Sequence, residues 1–156
     1  MKNIARLLIA ILICEGLGAV GSIFTIPSIG TWYAGITKLS FNPPNWIFGP
    51  VWTTLFLLMG ISLYLVWMRK FSGAEIKGAA TVFGIQLALN VLWSIIFFGL
   101  HLPLLALIDL VLLWLAILLT IIKFYPLSRW AAWLLAPYIL WISFAGILNF
   151  FIVRLN

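Results

Sequence analysis

Five stretches of the chain are apolar almost throughout, at roughly residues 5–26, 46–68, 78–100, 103–122 and 131–153, and polar or turn-rich pieces divide them. Each stretch meets or closely approaches the roughly twenty residues that a helix needs to cross a bilayer. None alternates as a strand would: "LLALIDLVLLWLAILLTII" has no period of two. In lipid each segment must also satisfy its own backbone hydrogen bonds, which helices do internally. The pattern predicts an all-α integral membrane protein, a five-transmembrane-helix bundle with a long outer loop between helices 1 and 2. Residues 1–156 read as a single transmembrane domain, because no shift in composition marks a second one. The first segment is read as a span, not a cleaved secretory signal, because its apolar stretch is long for a signal core.

Composition agrees: 65% of residues are hydrophobic and only 8% are charged, too few for the surface of a soluble domain this size. The net charge of +6 does not read as a nucleic-acid footprint, since the basic residues are scattered at the ends of apolar segments. With the N-terminus inside, Lys2, Arg6, Arg69, Lys70, Lys77, Lys123 and Arg129 lie on the cytoplasmic side, against Lys38 and Arg154 outside. That imbalance predicts an integral membrane protein with its N-terminus cytoplasmic and its C-terminus outside, without saying which membrane. One cysteine, Cys14, and one histidine, His101, leave no basis for a thiolate cluster or a zinc site. No metal or cofactor is expected, and no phosphate loop, GxSxG or HExxH motif is present.

The informative residues are polar ones inside apolar segments. Glu15 lies near the middle of helix 1 and Asp109 about two turns into helix 4. An ionised carboxylate there costs a few kcal/mol by insertion scales, so both are expected to face the bundle or a wet cavity. Gln86, Asn90 and Ser94 form one stripe on helix 3 at i, i+4 and i+8. On helix 5, Trp141, Ala145 and Leu148 share a face, with Ser143 and Asn149 nearby; on helix 3, Trp93 follows Asn90 by three residues. Such stripes more often mean helix packing and interhelical hydrogen bonds than a ligand wall. Several of them at similar depth are also what a site between bundle helices requires. Ala80, Gly84 and Ala88 repeat at four-residue spacing, a small-residue face that suits a homodimer through helix 3 or close internal packing.

The first loop is conspicuous. "TWYAGITKLSFNPPNWIFGPVW" (31–52) carries three tryptophans, with Pro43, Pro44 and Pro50 stiffening it. An interfacial aromatic belt is one reading and a lid over a flat ligand is another. Together with "NVLWSIIFFG" (90–99), "ALID" (106–109) and "PYILWISFAGILN" (137–149), the loop resembles the translocator proteins, also called peripheral benzodiazepine receptors or tryptophan-rich sensory proteins. The resemblance implies a five-helix bundle, usually dimeric, whose outer cavity binds porphyrins and ligands of the benzodiazepine or isoquinoline-carboxamide type beneath the first loop. It implies a porphyrin sensor or carrier, with light-dependent oxidative degradation of protoporphyrin through Trp52 and Trp141 as the alternative. Tyr33, Pro43, Trp52, Asn90, Trp93, Asp109, Trp141, Ala145 and Leu148 would line or close the site. Animal members carry a cholesterol consensus ending helix 5; Phe150 stands where its tyrosine would be, which argues against specific cholesterol binding. Leu39 stands where relatives commonly have proline, which implies a looser lid.

Overall fold

A computed structural model describes residues 2–69 and 73–156, with the Lys2 side chain left aside. Lys70 of the predicted basic end therefore lies outside the described residues, as does the Lys2 side chain. The chain is helical: α1 (Lys2–Ile29), α2 (Trp32–Gly35), α3 (Asn45–Trp67), α4 (Gly73–Ser94), α5 (Pro103–Leu127), α6 (Arg129–Leu134) and α7 (Ala136–Leu155). Among the described residues five helical spans are long and apolar enough to cross a membrane. They are α1, α3, α4 with its continuation to Gly99, α5, and α6 with α7.

The spans follow the apolar runs, but two details differ from straight rods. The third span ends in a π-helical turn, Ile95–Gly99, in which the Leu100 N–H reaches the Ile95 carbonyl at 2.8 Å. Within this wider turn Ile96, Phe97 and Phe98 are all buried in succession, which an α-turn exposed to lipid on one side would not allow. His101 then adopts a left-handed backbone (φ 56°), and the Leu102 N–H bonds back to Ile96 at 3.1 Å before Pro103 opens α5. The fifth predicted span, 131–153, is two helices that meet at Leu135. Pro137 has no N–H to offer the Trp133 carbonyl, so the hydrogen-bond ladder is interrupted there. Ser128 caps α6, its Oγ accepting from the Ala131 N–H at 3.3 Å, and Ser62 on α3 donates to the Ala131 carbonyl at 2.7 Å.

A buried cluster fills the end away from the first loop. There Val66, Ala79, Phe83, Phe124, Leu127 and Ala131 belong to one buried cluster, and Phe83 stacks on Phe124 with ring centroids 5.6 Å apart. Arg6, Arg69, Lys77, Lys123 and Arg129 belong to the same end by the alternation of the spans.

Glycines set the path of α1. A Cβ at Gly60 would lie 2.7 Å from the Ile11 Cα, and one at Gly18 2.5 Å from the Phe56 ring, so α1 and α3 approach closely in this half. Farther along, Gly21 meets Ser94 and Phe24 covers Gly99. The helix thus leans from α3 towards α4 and its π turn as it nears the loop, leaving space between α1 and α3. Gly84 has open space around it, and Ala80, Gly84 and Ala88 are exposed. Gly60→Ala is expected to lower stability by about 1–3 kcal/mol through overpacking, while Gly84→Ala leaves it unchanged or slightly raised. Thermal unfolding of the two variants in detergent checks the contrast.

Candidate functional site

The space left by α1 is a cavity of about 370 Å³, within the range of small-molecule pockets. Its walls come from α1, α3, α4 with its π turn, and α7, and Tyr33 of α2 reaches it from the loop. No lining residue comes from α5, which packs against α4, α6 and α7. Ala19, Ser22 and Ile26 on α1 and Gly49 and Thr53 on α3 line the cavity and are also exposed, so it is open on the flank between these helices.

Aromatic rings build most of the wall. Phe48 lies edge-on to Trp141 at 6.0 Å and to Tyr33 at 6.5 Å, which connects the loop to α7. Trp52 tilts against Phe56 at 5.7 Å and meets Tyr138 edge-on at 6.4 Å. Trp93 stacks on Phe97 at 5.1 Å, an i, i+4 pair. These offset and edge-on geometries are the favourable ones for aromatic pairs.

Polar bonds fix the rings. Asn90 Nδ2 donates to the Tyr138 hydroxyl at 2.7 Å. Trp93 Nε1 donates to Asn149 Oδ1 at 3.2 Å, while Asn149 Nδ2 donates to the Pro103 carbonyl at 2.8 Å. Two side-chain bridges therefore tie the third span to α7. Trp141 Nε1 is buried and has no hydrogen-bond partner among the described residues. Trp114, which lies away from the cavity, donates to Ser143 at 2.9 Å, so Ser143 belongs to packing between α5 and α7.

The loop separates the two readings of its aromatic residues. Trp46 is 73% exposed, as a belt residue would be, whereas Tyr33 is 4% exposed and lines the cavity. The Tyr33 hydroxyl donates to Asn42 Oδ1 at 3.2 Å, and Asn42 Nδ2 donates to the Pro43 carbonyl at 3.1 Å. Burial pushes the Tyr33 phenol above its ordinary pKa, and the Asn42 bond partly opposes this. Lys38 folds back to donate to the Tyr33 and Ile36 carbonyls and lies 4.7 Å over the Tyr33 ring. Asn156 pairs twice with the loop: its Oδ1 accepts from the Thr37 N–H at 2.9 Å and its Nδ2 donates to the Thr37 carbonyl at 3.0 Å. His101 stacks on Trp32 with centroids 4.5 Å apart.

Of the residues singled out in the sequence, Tyr33, Trp52, Asn90, Trp93, Trp141, Ala145 and Leu148 line one cavity. Pro43 and Asp109 do not. Pro43 is linked to Tyr33 through the Asn42 side chain, which bonds both. Asp109 is buried on α5, its Oδ2 without a partner among the described residues, and α5 supplies no wall. Gln86 of the helix 3 stripe lies deeper, its Nε2 3.7 Å from Met59 Sδ and its Oε1 unpaired among the described residues. Phe48, Phe97, Phe98 and the α1 face are lining residues that sequence reasoning did not single out; a three-to-four spacing of small residues at Gly18, Ser22 and Thr25 was the available signal. Glu15, noted without a role, lies on that face.

The TspO/MBR family pattern matches residues 10–155. The tryptophan-rich protein TspO of Archaeoglobus fulgidus is 50% identical over 155 residues, covering 99% of both chains. The protein of the same name from Chlorobaculum tepidum is 44% identical over 99% of this chain and 98% of its own. The human translocator protein is 43% identical over 140 residues, 88% of this chain and 82% of its own.

Asn149→Ala is expected to cost about 1–2 kcal/mol, because it strands the Trp93 N–H and the Pro103 carbonyl together. Near-ultraviolet circular dichroism should lose part of its indole signal as Trp93 is freed, and thermal unfolding should report the loss in stability.

Proposed function

Because this chain belongs to the TspO/MBR family of integral membrane proteins, we propose that it is a receptor or carrier that takes planar aromatic molecules, tetrapyrroles foremost, into the cavity beneath its first loop. The observation that carries the proposal is that Trp52 and Trp141, from separate spans, line one void that Tyr33 closes from the loop. A tetrapyrrole is a broad π-system with carboxylates along one edge, and indole and phenyl rings accept such faces in offset geometry. Benzodiazepine and isoquinoline-carboxamide ligands present the same mixture of flat apolar rings and a few polar atoms. The single histidine is stacked on Trp32 and is not among the lining residues, so a free-base ring fits better than an axially ligated haem.

The human relative's printed name, translocator protein, agrees with a carrier. The proposed topology has the basic end cytoplasmic and the loop outside. The exposed Ala80, Gly84 and Ala88 face suits a second copy of the chain, because small residues let two helices approach closely.

A second reading, light-dependent oxidation of protoporphyrin, draws on the unpartnered Trp141 Nε1 and the placement of both indoles in the wall. It needs bound porphyrin, light and oxygen, and no acid–base pair. Product formation that equals the protein-free rate under light, and does not change in Trp141→Phe, would remove it.

Titrating detergent-purified protein with protoporphyrin in the dark should quench tryptophan emission saturably. Trp52→Phe with Trp141→Phe should weaken binding by about tenfold, the loss of roughly 1.4 kcal/mol of ring contact. An unchanged affinity refutes the site. Gly84→Leu should shift the protein from dimer to monomer on light scattering, since the bulky side chain blocks the helix contact.

A further inference from the structure

We infer that Glu15 sets ligand specificity in this cavity, making its deep end a seat for a protonated amine or other cationic nitrogen; the inference rests on the cavity being the ligand site. On α1 the lining residues include Glu15, Gly18, Ser22, Thr25 and Ile29, at three-to-four spacing along one face. Glu15 is the lining residue of α1 farthest from the loop. It lies 14 residues before Ile29, roughly 21 Å along the helix axis at 1.5 Å per residue. The next turn of that face is Gly18 and Ala19, so no large side chain of α1 stands between the carboxyl group and the void.

The carboxyl group has nothing among the described residues to pair with. No hydrogen bond or ion pair from them reaches it, and the basic side chains belong to the ends of the spans or to the loop. Among the described residues it is also the only lining residue with a carboxyl group. A carboxylate at this depth in a bilayer faces a cavity and takes a partner. Here the cavity's occupant has to supply that partner. The buried Trp141 Nε1, without a partner among the described residues, is a donor and so cannot serve the same ligand atom.

The result is a cavity with an acidic group at one end and aromatic rings at the other. Glu15 stands at the end away from the loop, while the loop end is walled by Tyr33 and Phe48. A flat ligand with carboxylates on one edge enters with that edge outward, because turning it inward would set two anions together in a poorly screened space. A ligand carrying an amine on its inner edge gains an ion pair that a neutral ring cannot make.

The test uses the full chain in detergent and three probes: neutral octaethylporphyrin, an analogue with one aminoethyl arm, and dicarboxylate protoporphyrin. Wild type should bind the amine probe at least tenfold more tightly than the neutral one. Glu15→Gln should abolish that preference, leave the neutral probe within twofold, and leave protoporphyrin unchanged or tighter. An amine preference that persists in Glu15→Gln, or a uniform loss for all three probes, overturns the role of Glu15 while leaving the site intact. If neutral porphyrin fails to bind wild type saturably, the reading of the cavity fails instead. Should Glu15→Gln not fold, the wild-type ranking decides: a neutral probe that binds as tightly as the amine overturns the inference.

Discussion

The structure depends on one constraint: inside hydrocarbon there is no water to satisfy a peptide group. Each span must therefore close its own hydrogen bonds, and where it departs from regular helix a substitute bond has to appear. Both departures obey this. At the end of the third span the Leu100 and Leu102 N–H groups reach the Ile95 and Ile96 carbonyls, and at the break before α7 the Leu135 N–H reaches Ala132 and the Ile139 N–H reaches Leu135. These irregularities are what bring Phe97, Phe98 and Trp141 to the same void. The π turn rotates consecutive phenylalanines inward, and the break lets α7 start on a new axis after Pro137.

Side chains obey the same rule. Asn90 with Tyr138, and Trp93 with Asn149 and Pro103, are pairs whose loss would leave a donor or an acceptor in lipid. They hold the third span to α7 on one side of the cavity. On the other side α1 is fixed by glycine contacts: Gly60 and Gly18 join it to α3 in the tightly packed half, and Gly21 and Gly99 join it to the third span nearer the loop. Where a helix changes partners along its length, the two partners cannot both be filled in. The cavity is the volume left by that change.

Much of this was legible in the sequence because length and hydropathy decide the spans, and spacing decides which residues of one helix share a face. Trp141, Ala145 and Leu148 came together for that reason. What spacing could not supply is which face of an all-round apolar helix meets which neighbour. Asp109 illustrates this: it lies on α5, apolar on every side, and nothing in the pattern says that α5 is screened from the void by α4 and α7. Pro43 stands one residue beyond the Asn42 side chain that holds Tyr33, a relation carried by loop conformation and not by periodicity. The π turn was hidden as well, since "SIIFFG" reads as any apolar helix end.

The loop shows how one stretch of sequence serves two surfaces. Trp46 faces outward and suits the membrane interface, while Tyr33 is buried against Phe48, Phe97 and Phe98. The difference is set by anchoring. Tyr33 is held by Asn42, its carbonyl by Lys38, and the following stretch of loop by Asn156 through two bonds to Thr37. On the proposed function, a loop fastened at several points above a cavity open on the flank between α1 and α3 need not lift for a lipid-soluble molecule to enter. Such a molecule already resides in the bilayer, and Ala19, Ser22, Gly49 and Thr53 keep much of that flank small. On the proposed function the loop then acts chiefly to exclude water from above, which strengthens every polar contact made inside.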